Sequence, residues 1–341
     1  MNKFKLFFIV VLIFILSNLI IAFLWSIKTT IKFSNYAPYS VEFTNSLNLT
    51  KNEALDLYLE TWQRERLFEY DEFTGLRESE SLNGNYVNID QDNGRLIKNN
   101  PNNCLGNIFF YGGEKVFGYD VTDNQTIPFF FREMLIKDKK NYCVFNFGRR
   151  SYNSTQENIL LQKHLLNKKI IQKDIIIFLD GSNENGNSKI LNTDFINKNY
   201  NELHQKYWKL GNTGVKYFFD LLPIKQLFEV VISKFINNYK TKKISTEIPK
   251  SQLYEIKYVF EKNLDIRKGI CHTSDLRCFN FLIFIENDEL NKKKYELLKT
   301  QNNVSDLTNF NNQEYLINKY DSLSPNSNRL IAEKIFKKVF N

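Results

Sequence analysis

Three short apolar runs, each closed by glycine, constrain the fold of this chain more than any other feature. They are residues 107–111 (NIFFY) before Gly112-Gly113, residues 142–147 (YCVFNF) before Gly148, and residues 175–179 (IIIFL) before Asp180-Gly181. A strand buried on both faces reads as a continuous apolar run rather than as an alternation. Between the second and third runs, Ile159, Leu160, His164 and Leu165 recur at helical spacing over residues 154–167. Strand, glycine turn, helix and strand together predict an α/β fold, a central parallel sheet with helices packed on it. Ligands of such sheets bind beyond the carboxyl ends of the strands. The loops at Gly112–Glu114, Gly148 and Gly181–Glu184 are therefore expected to converge on one place. Residues 279–285 (FNFLIFI) predict a further core strand. Leu330, Ile331, Ile335 and Val339 predict an amphipathic closing helix from Pro325 to Phe340.

The chain opens differently. Residues 6–25 (LFFIVVLIFILSNLIIAFLW) carry no charge, and only Ser17 and Asn18 are polar. Twenty helical residues at ~1.5 Å each span the ~30 Å hydrocarbon core of a bilayer. Lys3 and Lys5 ahead of the run favour a cytoplasmic N-terminus, while Lys28 and Lys32 beyond it pull the other way. A cleaved signal peptide has a shorter apolar run and a small-x-small exit; here the exit is Ala22-Phe23-Leu24-Trp25. The expectation is a single-pass membrane protein anchored through residues 6–25, with its main domain extracytoplasmic. Three regions follow: an anchor at 1–30, a membrane-proximal region at 31–106 with a helix near 52–70, and a domain at 107–341. That domain carries a helical insertion at about 195–262, which holds the apolar stretch 217–236.

Composition narrows the function. Lys and Arg number 46 against 38 Asp and Glu, for a net charge of +8 over 341 residues. So thin an excess predicts no nucleic-acid partner. The four cysteines suit an oxidising compartment without demanding one. Cys104 with Cys143 and Cys271 with Cys278 are open pairings, and four reduced thiols are equally open. No CxxC occurs, and the three histidines, His164, His204 and His272, lack metal-ligand spacing, so no metal is expected. GxGxxG, GxxxxGK[ST] and GxSxG are all missing, so neither a dinucleotide cofactor, a P-loop nor an ordinary α/β-hydrolase elbow has a warrant.

Four blocks, in order, resemble the SGNH (GDSL-like) hydrolases, in particular a membrane-anchored bacterial branch. The first is residues 107–128, NIFFYGGEKVFGYDVTDNQTIP. The second is Asn146, Gly148, Tyr152, Ser154, Gln156 and Glu157. The third is Asp180, Gly181 and Asn183, with Glu184 replacing Asp. The last runs from Leu323, Ser324 and Pro325 through Asn328 to Ala332 and Glu333. The resemblance covers about residues 107–341 and implies a flavodoxin-like three-layer sandwich with a central parallel sheet. It also implies an ester hydrolase, yet every triad position is substituted. Glu114 stands where the family has its nucleophilic serine, Ser322 where it has its histidine base, and Lys319 where it has the orienting acid. Serine attack on a carbonyl needs a hydroxyl, a base within reach and an orienting group. Glu114 cannot become an acyl-enzyme serine, and Ser322 has no basicity near neutral pH.

The oxyanion positions are retained. The resemblance assigns them to the Gly148 N–H and the Asn183 side chain, donors aimed at developing negative charge. Two readings of Glu114 follow: its carboxylate fills the hole, held by Gly148 and Asn183, or it points to solvent while those two serve as turn residues. Glu114, Asp180 and Glu184 at neighbouring strand ends also admit glycoside cleavage by paired carboxylates, although acids at strand ends are common turn-formers. His164, on an apolar stripe, reads as a packed core histidine, and His272 as a loop residue. The expected function is a catalytically degenerate SGNH-like protein that binds or scaffolds in envelope or surface-polysaccharide metabolism, with a glycan or protein partner. The alternatives are an active esterase or acetyl-hydrolase using a non-standard site, and a purely structural protein. Tyr111, Phe117, Tyr119 and Tyr152 are candidate aromatic walls for a sugar, or core residues.

Overall fold

The computed structural model describes residues 5–18, 20, 37–62, 68–71, 74–78, 81–90, 92, 94–149, 152–181, 184, 250–284, 289–301, 304–308 and 322–341. Two compact units divide the chain, Met1–Tyr36 with Thr193–Glu247, and Ala37–Asn192 with Ile248–Asn341. In the first, residues 5–18 form a helix, α1, whose apolar side chains are exposed, Phe7 to 66%. Among the described residues no helix is long and apolar enough to cross a membrane. Residues 19 and 21–25 of the expected span, and the apolar stretch 217–236, lie outside the described residues.

The second unit is built on an eight-stranded sheet. Its parallel part comprises β6 (Gly106–Gly112), β7 (Tyr142–Asn146), β8 (Ile175–Gly181), β9 (Arg277–Ile283) and β10 (Val304–Asp306). These lie in the order β10-β9-β8-β6-β7, and every neighbouring pair is parallel. The first strand of the series thus sits between the second and third, so the order reverses between β6 and β8. Three short antiparallel strands extend the β7 edge: β5 (Gly94–Arg95), β4 (Asn88–Asp90) and β3 (Leu82–Asn83). The sheet therefore draws strands from residues ahead of 107. A separate hairpin joins β1 (Phe68–Asp71) to β2 (Gly75–Glu78); the expected helix at 52–70 is α3, Lys51–Trp62, and the chain is already in this hairpin by Phe68.

Helices cover both sheet faces because successive strand residues point to opposite sides. Ile108 and Phe110 of β6, with Ile175 and Ile177 of β8, pack against α5 (Ile127–Lys137) and α9 (Pro325–Phe340), through Phe131, Leu135, Ile331 and Ile335. Phe109, Tyr111, Ile176 and Phe178 face the other way, toward Leu160 and Leu161 of α6 (Ser154–Leu166) and Ile270 of α7 (Lys250–Thr273). The helix starts are locally encoded. Thr126, Asn153 and Ser324 cap α5, α6 and α9, and Pro follows within the first turn of α5 and α9. A third apolar cluster joins Tyr39, Phe43 of α2 (Val41–Ser46), Leu57 of α3 and Ile89 to Phe117, Tyr119 and Val121. Between β9 and β10 runs α8 (Glu289–Leu298).

All four cysteines are paired. Cys104–Cys143 ties the approach to β6 to the start of β7, and Cys271–Cys278 closes the α7–β9 turn, with Cα–Cα distances of 5.5 and 6.1 Å.

Candidate active-site cleft

Strand order places the site. At the reversal between β6 and β8 the flanking connections leave toward opposite faces, which opens a crevice beyond the strand ends. A small cleft, open to solvent, lies there. Gly113, Glu114, Lys115, Tyr152, Glu157, Leu179, Asp180, Gly181 and Ile283 line it. Glu114 is the first residue of the one-turn helix α4 (Glu114–Phe117), directly after the glycine pair that ends β6. The residue expected at the nucleophile position therefore opens onto the cleft, carrying a carboxylate.

Gly148 is placed differently from the expectation. Its N–H donates to Asn146 Oδ1 at 3.0 Å. A Cβ at Gly148 would come within 2.2 Å of Phe117 N, so the residue lies flat against the backbone of α4. The physical reason is Asn146, fully buried at the end of β7. Its amide donates to Val116 O at 2.9 Å while its carbonyl holds the Gly148 N–H. One asparagine thus fixes the turn and the helix that carries Glu114, and the Gly148 N–H is not turned into the cleft toward that carboxylate. Asn183 and Lys319 lie outside the described residues.

Ser322 is not a base in waiting either. Its hydroxyl donates to Asp120 Oδ2 at 2.6 Å, and the Tyr39 hydroxyl donates to Asp120 Oδ1 at 2.7 Å. Asp120 is buried and left-handed, with φ 65°. Beneath it, Arg95 grips the loop that follows α4. Its Nε donates to Asp123 Oδ1 at 2.9 Å, Nη2 to Val121 O at 2.7 Å, and Nη1 to the carbonyls of Phe117 and Gly118. A guanidinium 1% exposed with four such acceptors is well satisfied.

The cleft floor continues into a buried polar layer. Arg267 of α7 forks onto Asp180, with Nη1–Oδ2 at 2.6 Å and Nη2–Oδ1 at 2.9 Å. Nη2 also reaches Glu157 Oε2 at 2.9 Å, Nε reaches Asn158, and the guanidinium stacks 3.9 Å from the Phe178 ring centre. Glu184 accepts from Ser154 N–H at 2.9 Å and from Ser154 Oγ at 2.6 Å, and Asn263 of α7 donates to that same Oγ. Two buried carboxyls share one guanidinium, and the carboxyl of Glu184 is held beside them by Ser154. Burial, and then the charge of Asp180, hold Glu157 well above the ordinary carboxylate value. The same two causes push Glu184 up to about 7. Glu157 and Asp180 are both engaged by Arg267 in a layer 1–2% exposed.

His164 lies elsewhere, packed in the core with Nδ1 2.6 Å from the Tyr111 hydroxyl. Burial, and then Lys169, depress it to about 3. His272 is exposed in the last turn of α7. Tyr111 and Phe117 are core residues, as is Tyr119, while Tyr152 reaches the cleft wall. Among the described residues no group of three or more His, Cys, Asp or Glu side chains could hold a metal. The residues that organise the site and escaped sequence reasoning are Arg95, Asp120 and Arg267.

Fold and cleft define a parallel α/β protein of 2-1-3-4-5 strand order with a crevice at its switch point. No family model and no curated protein matches the chain. Among solved structures it is similar to a protein assigned to the G-D-S-L lipolytic family from Desulfitobacterium hafniense DCB-2, at 11% identity and TM-score 0.38, over 68% of this chain and 98% of that one. It is similar to the lipase/acylhydrolase from Enterococcus faecalis at 12% identity and TM-score 0.38, over 69% and 95%. The acetyl xylan esterase Est2A from the rumen bacterium Butyrivibrio proteoclasticus gives 12% and 0.37, over 73% and 67%. The likeness to these lipolytic hydrolases and esterases is one of fold.

Proposed function

We propose that this chain is a membrane-tethered, extracytoplasmic SGNH-hydrolase-like protein whose cleft has lost ester-cleaving chemistry and works by binding. The partner in this reading is an envelope glycan or an envelope protein. One observation carries it: the positions of nucleophile and base hold Glu114 and a Ser322 whose hydroxyl is donated to Asp120. A serine that gives its proton to a carboxylate takes none from a nucleophile. Supporting the extracytoplasmic placement, both disulfides belong to compartments where thiols oxidise. Supporting the tether, the uncharged run 6–25 is long enough to span a bilayer, and the apolar side chains of α1 are exposed.

The test compares the wild type with the triple variant Glu114→Ser/Lys319→Asp/Ser322→His on p-nitrophenyl acetate and an acetylated glycan. Silence of the wild type with activity in the variant supports a hydrolase scaffold with its chemistry removed. Turnover by the wild type that Glu114→Ala abolishes overturns the reading in favour of an esterase with a non-standard site. Retention in the membrane pellet after alkaline carbonate extraction tests the tether separately.

A further inference from the structure

Opposite the cleft, at the amino ends of the parallel strands, the turns that enter β6, β7, β8 and β9 are stitched into one layer. Leu105 N–H donates to Asn141 O at 2.9 Å, joining the approaches to β6 and β7. The Asp174 carboxylate accepts from Asn107 N–H at 3.0 Å and from Ile171 N–H at 2.9 Å, joining β6 to the turn before β8. Lys173 N–H donates to Asp275 O at 2.9 Å and brings in the turn before β9. These turns therefore form one continuous face.

Two independent features mark it. Lys139, Lys168 and Lys173 occupy left-handed positions, with φ of 55°, 55° and 70°, in turns where glycine or asparagine fits more easily. All three side chains are exposed, and the exposed acids of these turns are Asp138 and Asp275. The cleft end of the sheet holds Glu114, Glu157, Asp180 and Glu184 together with Lys115 and the buried Arg267. Cations at helix C-termini ease the helix dipole, but that does not explain the second feature. Leu105 is 86% exposed, Leu166 82% and Ile171 60%, interleaved with the lysines.

We propose that this face docks on an anionic phospholipid surface. Lysines meet the headgroup phosphates, and the three aliphatic side chains enter the boundary between headgroups and acyl chains. A nucleic acid or other polyanion would engage the lysines and leave the leucines in water, so the lipid surface fits both features. The docking goes beyond the tether proposed above and does not depend on it.

The test uses the full chain with Leu105→Trp, in phosphatidylcholine vesicles brominated in the acyl chain, with and without phosphatidylglycerol. With the anionic lipid, emission from L105W is expected to shift to the blue and to be quenched in excess of wild type. Val41→Trp, 72% exposed at the start of α2, shows no quenching in excess of wild type as the control. Lys139→Glu/Lys168→Glu/Lys173→Glu is expected to abolish the excess. Excess quenching that ignores lipid charge, or no excess at all, overturns the proposal. So does a blue shift of L105W caused by polyphosphate or an oligonucleotide without anionic lipid. Flotation with uncharged vesicles reads the tether alone, so its failure is distinguishable from failure of the docking face.

Discussion

Ser322 Oγ lies 2.6 Å from Asp120 Oδ2, across 202 positions of sequence, and closes a bridge that Tyr39 completes from the other side. Ser322 is a strut between the approach to α9, the loop after α4 and the segment ahead of α2. Removing it leaves a buried carboxylate one donor short. Ser322→Ala is expected to cost about 1–2 kcal/mol of unfolding free energy, read by urea denaturation. An unchanged midpoint would mean that water replaces the hydroxyl at no cost.

Arg267 carries more. Its substitution by Met strands the Asp180 carboxylate and takes a donor from Glu157 in a layer 1–2% exposed. Breaking a buried ion pair from one side costs roughly 3–5 kcal/mol, enough to threaten the fold. Adding Asp180→Asn and Glu157→Gln to Arg267→Met is expected to return part of that loss. If the triple variant is no more stable than the single one, the penalty comes from lost packing on Phe178 and not from uncompensated charge.

Glu184 makes stability depend on pH. Its carboxyl titrates at about 7 in the folded chain against 4.5 as the ordinary value, so between these the folded state binds more protons. Stability contributed by this group is complete below about pH 4.5 and is lost as pH rises through about 7. Glu184→Gln removes the titration. Melting temperatures across that window should show the variant gaining on wild type as pH rises, and parallel curves would refute this assignment.

The two disulfides differ in the loops they close, with sequence separations of 39 and 7. Loop-closure entropy gives about 4 kcal/mol for the longer and about 2 kcal/mol for the shorter. Cys104→Ser/Cys143→Ser is thus expected to lower the melting temperature more than Cys271→Ser/Cys278→Ser. The reverse order would show that the α7–β9 turn depends on its staple for alignment.

What the sequence announces, and what it hides, follows from range. The runs NIFFY, IIIFL and FNFLIFI are legible because strands buried on both faces leave no room for polar residues; β6, β8 and β9 lie where they stand, within two residues at most ends. The closing helix is legible through its stripe and its Ser324-Pro325 start. Strands β3, β4 and β5 have two or three residues each, too few to show a period. Arg95 and Arg267 are invisible for another reason. Their partners lie 22–28 and 13–110 positions away, and no local pattern distinguishes a lysine-like surface arginine from one that folding will bury. The cleft position of Glu114 could be read from the glycine pair before it, while the commitment of the Gly148 N–H to Asn146 requires knowing that the asparagine turns back on its own chain.

The clasp of Arg267 on Asp180 and Glu157 also has a meaning for how this chain tolerates change. Both borders of the segment between Glu184 and Lys250 are pinned by it, Glu184 through Ser154 and α7 through its guanidinium and Asn263. A change that reaches either border therefore pulls on the same buried clasp, so damage at two places far apart in sequence arrives at the cleft floor by one route.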